Sequence, residues 1–191
     1  MPELPKDARI APLPPEEWPE DLRPLATFAA SGEEISIGDL NIFRTLARHP
    51  ELFQAWGPFG GYLLTRAALP FEERELLILR TGVNCGSPYE WGQHARIAVN
   101  GGMSREAVDR VAAGPDAEGW TARQAALLRA ADELHAHNVI SDSTWAELAA
   151  ELDERQLIEV CMLVGQYHLV AFMLNSVGVQ PEPGLEPLPE S

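Results

Sequence analysis

The feature that most constrains this chain is its last long apolar run, LIEVCMLVGQYHLVAFMLNSVG, residues 157–178. As a helix it has no polar face, so other elements or another subunit must surround it. Asp153-x-x-Gln156 supplies a capping box ahead of it, and Gly178 a C-cap behind it. At roughly 22 residues it has the length of a bilayer span, but Glu159, Gln166, His168 and Asn175 interrupt it. A central helix in a helical domain, or one shared between subunits, accommodates both the apolarity and the interruptions.

The rest of the chain carries helix punctuation. Asp39 to Arg48 puts Leu40, Phe43, Leu46 and Ala47 on one face, and a less regular helical stretch runs from Pro50 into Trp56. Phe71 to Thr81 stops at Gly82 and Asn84. Ser87-Pro88-Tyr89-Glu90 reads as an N-cap, a first-turn Pro and an N3 Glu, opening a helix to Gly101. Ser104 starts a short helix ending near Gly114, Thr121-x-x-Gln124 opens one that ends at Asn138, and Ser141 or Ser143 begins another through Leu148. No run of alternating β-branched residues is long enough for a sheet. The spacing predicts an all-α fold of about seven helices over residues 31–180. A Pro-rich arm (1–30) precedes it and a flexible tail (181–191) follows. Ile10, Leu13, Trp18 and Leu22 make the arm too apolar to hang free, so it should pack on the domain or on a neighbouring subunit.

Charge narrows the partners. Fourteen basic against 29 acidic residues leave a net charge of −15, which repels phosphate backbones and anionic lipid, so neither nucleic acid nor a membrane is expected as a partner. Lys6 is the only lysine, which sets Schiff-base chemistry aside. The first thirty residues lack a signal-peptide pattern, so a cytoplasmic location is expected. Cys85 and Cys161 are too few for a disulfide framework or a four-ligand zinc site.

The residues that suggest chemistry cluster around the middle of the chain. Glu90 and His94 lie four apart on a predicted helix, so they share a face, where a carboxylate can orient an imidazole for proton transfer. Glu75 sits in an apolar run, where an ionised carboxylate is costly unless paired. Alternatives stay open: Glu90 can simply complete a Ser-x-x-Glu capping box, Glu75 can be a surface residue beside Arg74, and His94 can be exposed next to Arg96. Arg80 and Arg96 are candidates to anchor a substrate carboxylate, and Tyr89, Trp91, Phe59 and Tyr62 to shape a pocket. His135 and His137 fall near a helix C-terminus, where the helix dipole favours a protonated imidazole.

The pattern Glu75, then Ser87-x-x-Glu90-x-x-x-His94 with its Tyr89-Glu90-Trp91 triplet, resembles the carboxymuconolactone decarboxylase family, which includes the alkyl hydroperoxidase D proteins. Asn41 to Pro50, Ala126 to His135, Ser141 to Leu148 and Gly165 to Asn175 also resemble its longer members. The resemblance implies an all-α fold and a homo-oligomer: a dimer, a trimer or a hexamer. It also places the helix of Tyr167 and His168 beside the motif helices, as pocket candidates. The family's peroxidase branch carries Glu, then Cys-x-x-Cys-x-x-x-His, twelve positions on. Here the spacing survives, but Ser87 and Glu90 replace both cysteines. A dithiol peroxidase needs those thiols, so the expectation is a carboxy-lyase or isomerase. It would act on a small unsaturated lactone or carboxylic acid through Glu75, Glu90 and His94, with no cofactor and no metal. A peroxide reductase and a non-catalytic oligomeric binding protein are the alternatives.

Overall fold

The computed structural model describes residues 3–23, 27–30 and 33–189. Residues 1–2, 31–32 and 190–191, at the edges of the expected arm, domain and tail, lie outside it, as do 24–26 within the arm. Among the described residues the chain forms eight α-helices: α1 (Asn41–Leu46), α2 (Pro50–Thr65), α3 (Phe71–Asn84), α4 (Pro88–Asn100), α5 (Arg105–Ala113), α6 (Ala122–His137), α7 (Asp142–Ala149) and α8 (Glu154–Val177). A small antiparallel hairpin, β1 (Thr27–Ala30) and β2 (Glu33–Ser36), pairs Thr27 with Ser36 and Ala30 with Glu33. Four-residue strands holding Ala-Ala and Glu-Glu carry no alternating signature, so the hairpin was not foreseen.

Two apolar clusters meet at α3, whose Leu76, Leu77, Ile78 and Leu79 are all fully buried. Leu77 and Ile78 join residues of α6 and α8, including Leu127, Leu163 and Val164. Leu76 and Leu79 join Trp91 and Ala95 of α4 and Val108 and Val111 of α5. Each such side chain contributes about 1.5–3 kcal/mol on burial, so α3 is fixed from both sides and its polar residues are held in register.

The helix α8 packs against α2, α3, α4, α6 and α7. It is long and apolar enough to cross a membrane by length and composition, but 56% of its apolar window is buried inside the fold. Its interruptions are anchors. Glu159 accepts hydrogen bonds from the backbone N–H groups of Ala68 (2.6 Å) and Leu69 (3.0 Å) and from the Tyr62 hydroxyl (3.2 Å), pinning the connection between α2 and α3. Asn175 donates to the Cys85 carbonyl at 2.9 Å. Gly178 ends the helix with φ +73°, the left-handed value that a C-cap glycine accommodates.

Two segments depart from expectation, and the N-terminal arm takes one of the two courses expected of it. The second helix continues past Trp56 to Thr65 although Pro58 lies inside it; Pro58 lacks the N–H that would bond to Gln54, while burial of Phe53 and Leu63 carries the helix through. The N-terminal arm packs on its own domain: Trp18 and Leu22 are buried with Ile37, Ala47 and Phe53, and Arg9 and Leu13 bond to the backbone of Val177 and Arg44. The closing segment, expected to be loose, is pinned to α4 and α5 as far as Leu188. Glu182 accepts from Gln93 and the Tyr89 hydroxyl, Glu186 pairs with Arg105, and Leu188 packs on the cluster around Trp91.

Candidate active site

The fully buried Glu75 projects from the middle of α3. Its Oε2 lies 2.7 Å from His94 Nδ1, while its Oε1 accepts from Arg74 Nε (3.3 Å) and Nη2 (3.2 Å). Arg74 is itself buried, with its guanidinium 5.0 Å from the Phe71 ring centroid. The result is a desolvated chain of guanidinium, carboxylate and imidazole. A carboxylate only accepts, so His94 carries its proton on Nδ1 and presents Nε2 as the free nitrogen. The Tyr167 ring meets the imidazole edge-on at 4.9 Å, which fixes its plane. The expected Glu90–His94 pair does not form: the carboxylate partner of His94 comes from α3, not from its own helix.

Glu90 occupies a different environment at nearly the same depth. It is 2% exposed and neither carboxyl oxygen has a hydrogen-bond partner. Burial pushes its pKa well above the ordinary carboxylate value, so it is held as the neutral acid. The capping box that the sequence offers here is not made, and Ser87 caps nothing with its side chain. The reason is local: the Ser87 N–H, which Glu90 would have reached back to, already bonds to the Gly82 carbonyl of α3 at 2.9 Å. The carboxyl group of Glu90 lies close to this turn of α3: a Cβ at Gly82 would make ordinary van der Waals contact with Glu90 Oε1 at 3.5 Å. Glu90 is released from capping and turned toward α3.

Glu90, His94 and Tyr167 line a cavity of about 770 Å³. Its other walls are mainly apolar: Ile37, Ile42, Phe43, Phe53, Trp56, Ile97 and Val170, with Gln93 and Gln166 as polar points. Tyr89 also lines it. The Tyr89 hydroxyl accepts from the Ile42 N–H (3.1 Å) and donates to Glu182 (2.9 Å), and burial with the Glu182 charge raises its pKa and keeps it protonated. Arg66, exposed at the rim, is the one arginine among the lining residues.

Several expected site residues lie elsewhere. Arg80 is locked to Asp132 through Nε and Nη2 and donates to the carbonyls of Val111 and Ala112. Arg96 bonds to Gln93 and lines a separate recess of about 160 Å³ beside the closing segment. Trp91 is enclosed in the cluster between α3, α4 and α5. His168 pairs with His135 at 2.9 Å outside the cavity. Neither Phe59 nor Tyr62 is among the lining residues. The walls contributed by Phe43, Phe53 and Trp56 went unrecognised because they face the cavity only once α1, α2 and the arm have docked. Gln166 did signal itself, as a polar break in an apolar helix. Both Glu75 oxygens are engaged by Arg74 and His94, so the trio offers a divalent cation no open carboxylate from α3.

The model of the carboxymuconolactone decarboxylase family matches residues 50–133, a span that contains Glu75, Glu90 and His94. No curated protein matches the chain in sequence. Among solved structures, a cysteine-to-alanine variant of the debrominase Bmp8 in complex with 2,3,4-tribromopyrrole superposes with a TM-score of 0.77 at 18% identity, covering 93% of this chain and 94% of that one. An uncharacterised peroxidase-related protein with an alkylhydroperoxidase AhpD core, from Ralstonia eutropha JMP134, gives 0.75 at 21% identity over 91% and 93%. A peroxidase-related protein from Silicibacter sp. TM1040 gives 0.67 at 17% over 76% and 78%. At these identities the likeness is one of fold.

Proposed function

We propose that this chain, whose residues 50–133 match the carboxymuconolactone decarboxylase family, is a cofactor-free acid–base enzyme that decarboxylates, or isomerises, a small unsaturated lactone or carboxylic acid. The observation that carries this reading is the division of labour between two buried carboxyl groups. Glu75 is engaged by Arg74 and His94, whereas Glu90 is unpartnered and neutral at the wall of an apolar cavity. Two carboxyl groups with such different partners can take different parts in proton transfer.

The steps follow from that arrangement. In an apolar cavity a substrate carboxylate loses hydration, which favours its departure as CO2. The C–C bond breaks and its electron pair moves into the conjugated carbonyl, whose oxygen accepts a hydrogen bond from the Glu90 acid. His94, having taken a proton from solvent on its free Nε2 while Glu75 holds the Nδ1 proton, then delivers that Nε2 proton to carbon and returns to the neutral imidazole. In the isomerisation variant His94 first removes a proton and returns it at another carbon. Peroxide reduction is disfavoured because Ser87 and Glu90 supply no thiol. Cys85 is not among the cavity residues, and burial pushes its thiol up to about 12, away from the reactive thiolate.

The test is to follow ultraviolet absorbance and CO2 release with 4-carboxymuconolactone for the wild type and His94→Ala. Turnover that the substitution abolishes, with helicity and assembly unchanged, supports the enzyme. Loss of assembly with His94→Ala points to a structural network in a binding protein, and no turnover by wild type removes this substrate.

We also propose that the chain works as a homo-oligomer. Ile158, Met162, Gly165, Leu169 and Phe172 repeat at alternating four- and three-residue steps along α8, and the four large ones are exposed, which is the seam pattern of helix pairing. Leu169→Glu should lower the oligomer mass in sedimentation. A cytoplasmic setting suits Cys85 and Cys161, both of which are free thiols.

A further inference from the structure

We propose that Cys85, His135 and His168 form a binding site for a divalent cation of the zinc class, outside the cavity. The three donors come from separate elements: Cys85 is the C-cap of α3, His135 lies in the last turn of α6, and His168 in the middle of α8. Their ligand atoms all fall within 4.8 Å of one another, and His135 Nδ1 is 2.9 Å from His168 Nε2. Zinc bonds of ~2.3 Å to sulfur and ~2.0–2.1 Å to nitrogen in a tetrahedron separate such donors by roughly 3.3–3.6 Å. The observed separations, 2.9 Å for the imidazole pair and at most 4.8 Å over the set, bracket that spacing.

The surroundings orient the donors as a metal site requires. His168 Nδ1 is 2.8 Å from the Val164 carbonyl; a carbonyl only accepts, so the proton sits on Nδ1 and Nε2 is left as the lone pair facing the cluster, the outer-shell arrangement that fixes a ligand tautomer. Asn175 holds the Cys85 carbonyl and so ties the α3 cap to α8. Asp132, the nearby carboxylate, is withheld by Arg80 and Asn84. The fourth position therefore opens toward solvent on the exposed side of His135. Binding releases the Cys85 thiol proton to solvent and shifts the His135 proton from Nδ1 to the outward Nε2. One thiolate and two imidazoles select zinc or cobalt over magnesium and calcium, which take oxygen ligands. A cation held here would staple α3, α6 and α8 together.

Cobalt titration of the reduced, chelator-stripped full chain tests the site. The expected result is one Co2+ per chain, with a thiolate-to-cobalt charge-transfer band in the near ultraviolet, displacement by Zn2+, and a raised melting midpoint. Cys85→Ser should remove that band and Cys161→Ser should keep it, while His135→Asn and His168→Asn should weaken binding by more than the roughly 10–100-fold that loss of an outer-shell partner costs. A second readout needs no variant: Zn2+ should slow alkylation of Cys85 in the wild type. Absence of the band at stoichiometric Co2+, its persistence in Cys85→Ser, or alkylation of Cys85 at an unchanged rate would overturn the proposal.

Discussion

Glu75 on α3 and Glu90 on α4 are buried to the same degree, 0% and 2% exposed, yet they are opposites in chemistry. One is enclosed by a guanidinium and an imidazole, and the other faces apolar walls with both oxygens free. Burial alone therefore does not decide what a carboxyl group does; its immediate neighbours decide whether the charge or the proton is kept. His94 lines the cavity beside Glu90, so a cavity of otherwise apolar character holds an imidazole paired to a carboxylate and a carboxyl group without a partner.

Breaking the charged side should cost most. Glu75→Ala leaves Arg74 buried without its partner and should destabilise the protein by about 3–5 kcal/mol, read from the denaturant midpoint, with loss of turnover; a change below about 1 kcal/mol would show that the network carries little energy. His94→Ala should lower kcat by about 10²–10⁴-fold while leaving the midpoint much closer to wild type, measured by steady-state kinetics beside sedimentation.

On the neutral side, Glu90→Gln keeps the shape but removes the acid, and should cut kcat by about 10² without loss of stability at neutral pH. The pH dependence has a defined sign. The native Glu90 pKa stands above the ordinary 4.5, so between 4.5 and the native value the folded chain binds more protons than the unfolded one, and stability falls as pH rises through that window. Glu90→Gln should flatten that fall in urea melts from about pH 5 to pH 8; identical slopes in the two proteins would refute a neutral Glu90. The smallest effect belongs to Arg96→Ala. Its side chain lies outside the cavity, so KM should stay within about twofold, and a large rise would put the substrate elsewhere.

Much of the fold was legible because it is local. The capping boxes at Thr121/Gln124 and Asp153/Gln156 form as read, and Ser104, Ser141, Asn138 and Gly178 cap where expected. The same motif at Ser87/Glu90 does not form, because a carbonyl from α3 satisfies the Ser87 N–H first. That failure is the informative one, since it frees Glu90 for the cavity. Glu75 and His94 were recognisable as site candidates, but their pairing was not, because it joins residues nineteen positions apart on different helices.

The sequence by itself determined the helical punctuation, the central position of α8 and the types of residue available for acid–base work. These depend on periodicity, end groups and side-chain chemistry, all of which act within a few residues along the chain. Only the tertiary structure decided which carboxylate meets His94, which one stays neutral, that Arg80, Arg96, Trp91 and His168 fall outside the cavity, and that His168 meets His135 and Cys85 instead. Those outcomes depend on which faces of α3, α4, α6 and α8 are pressed together, and on which backbone groups reach a side chain's partner before it does.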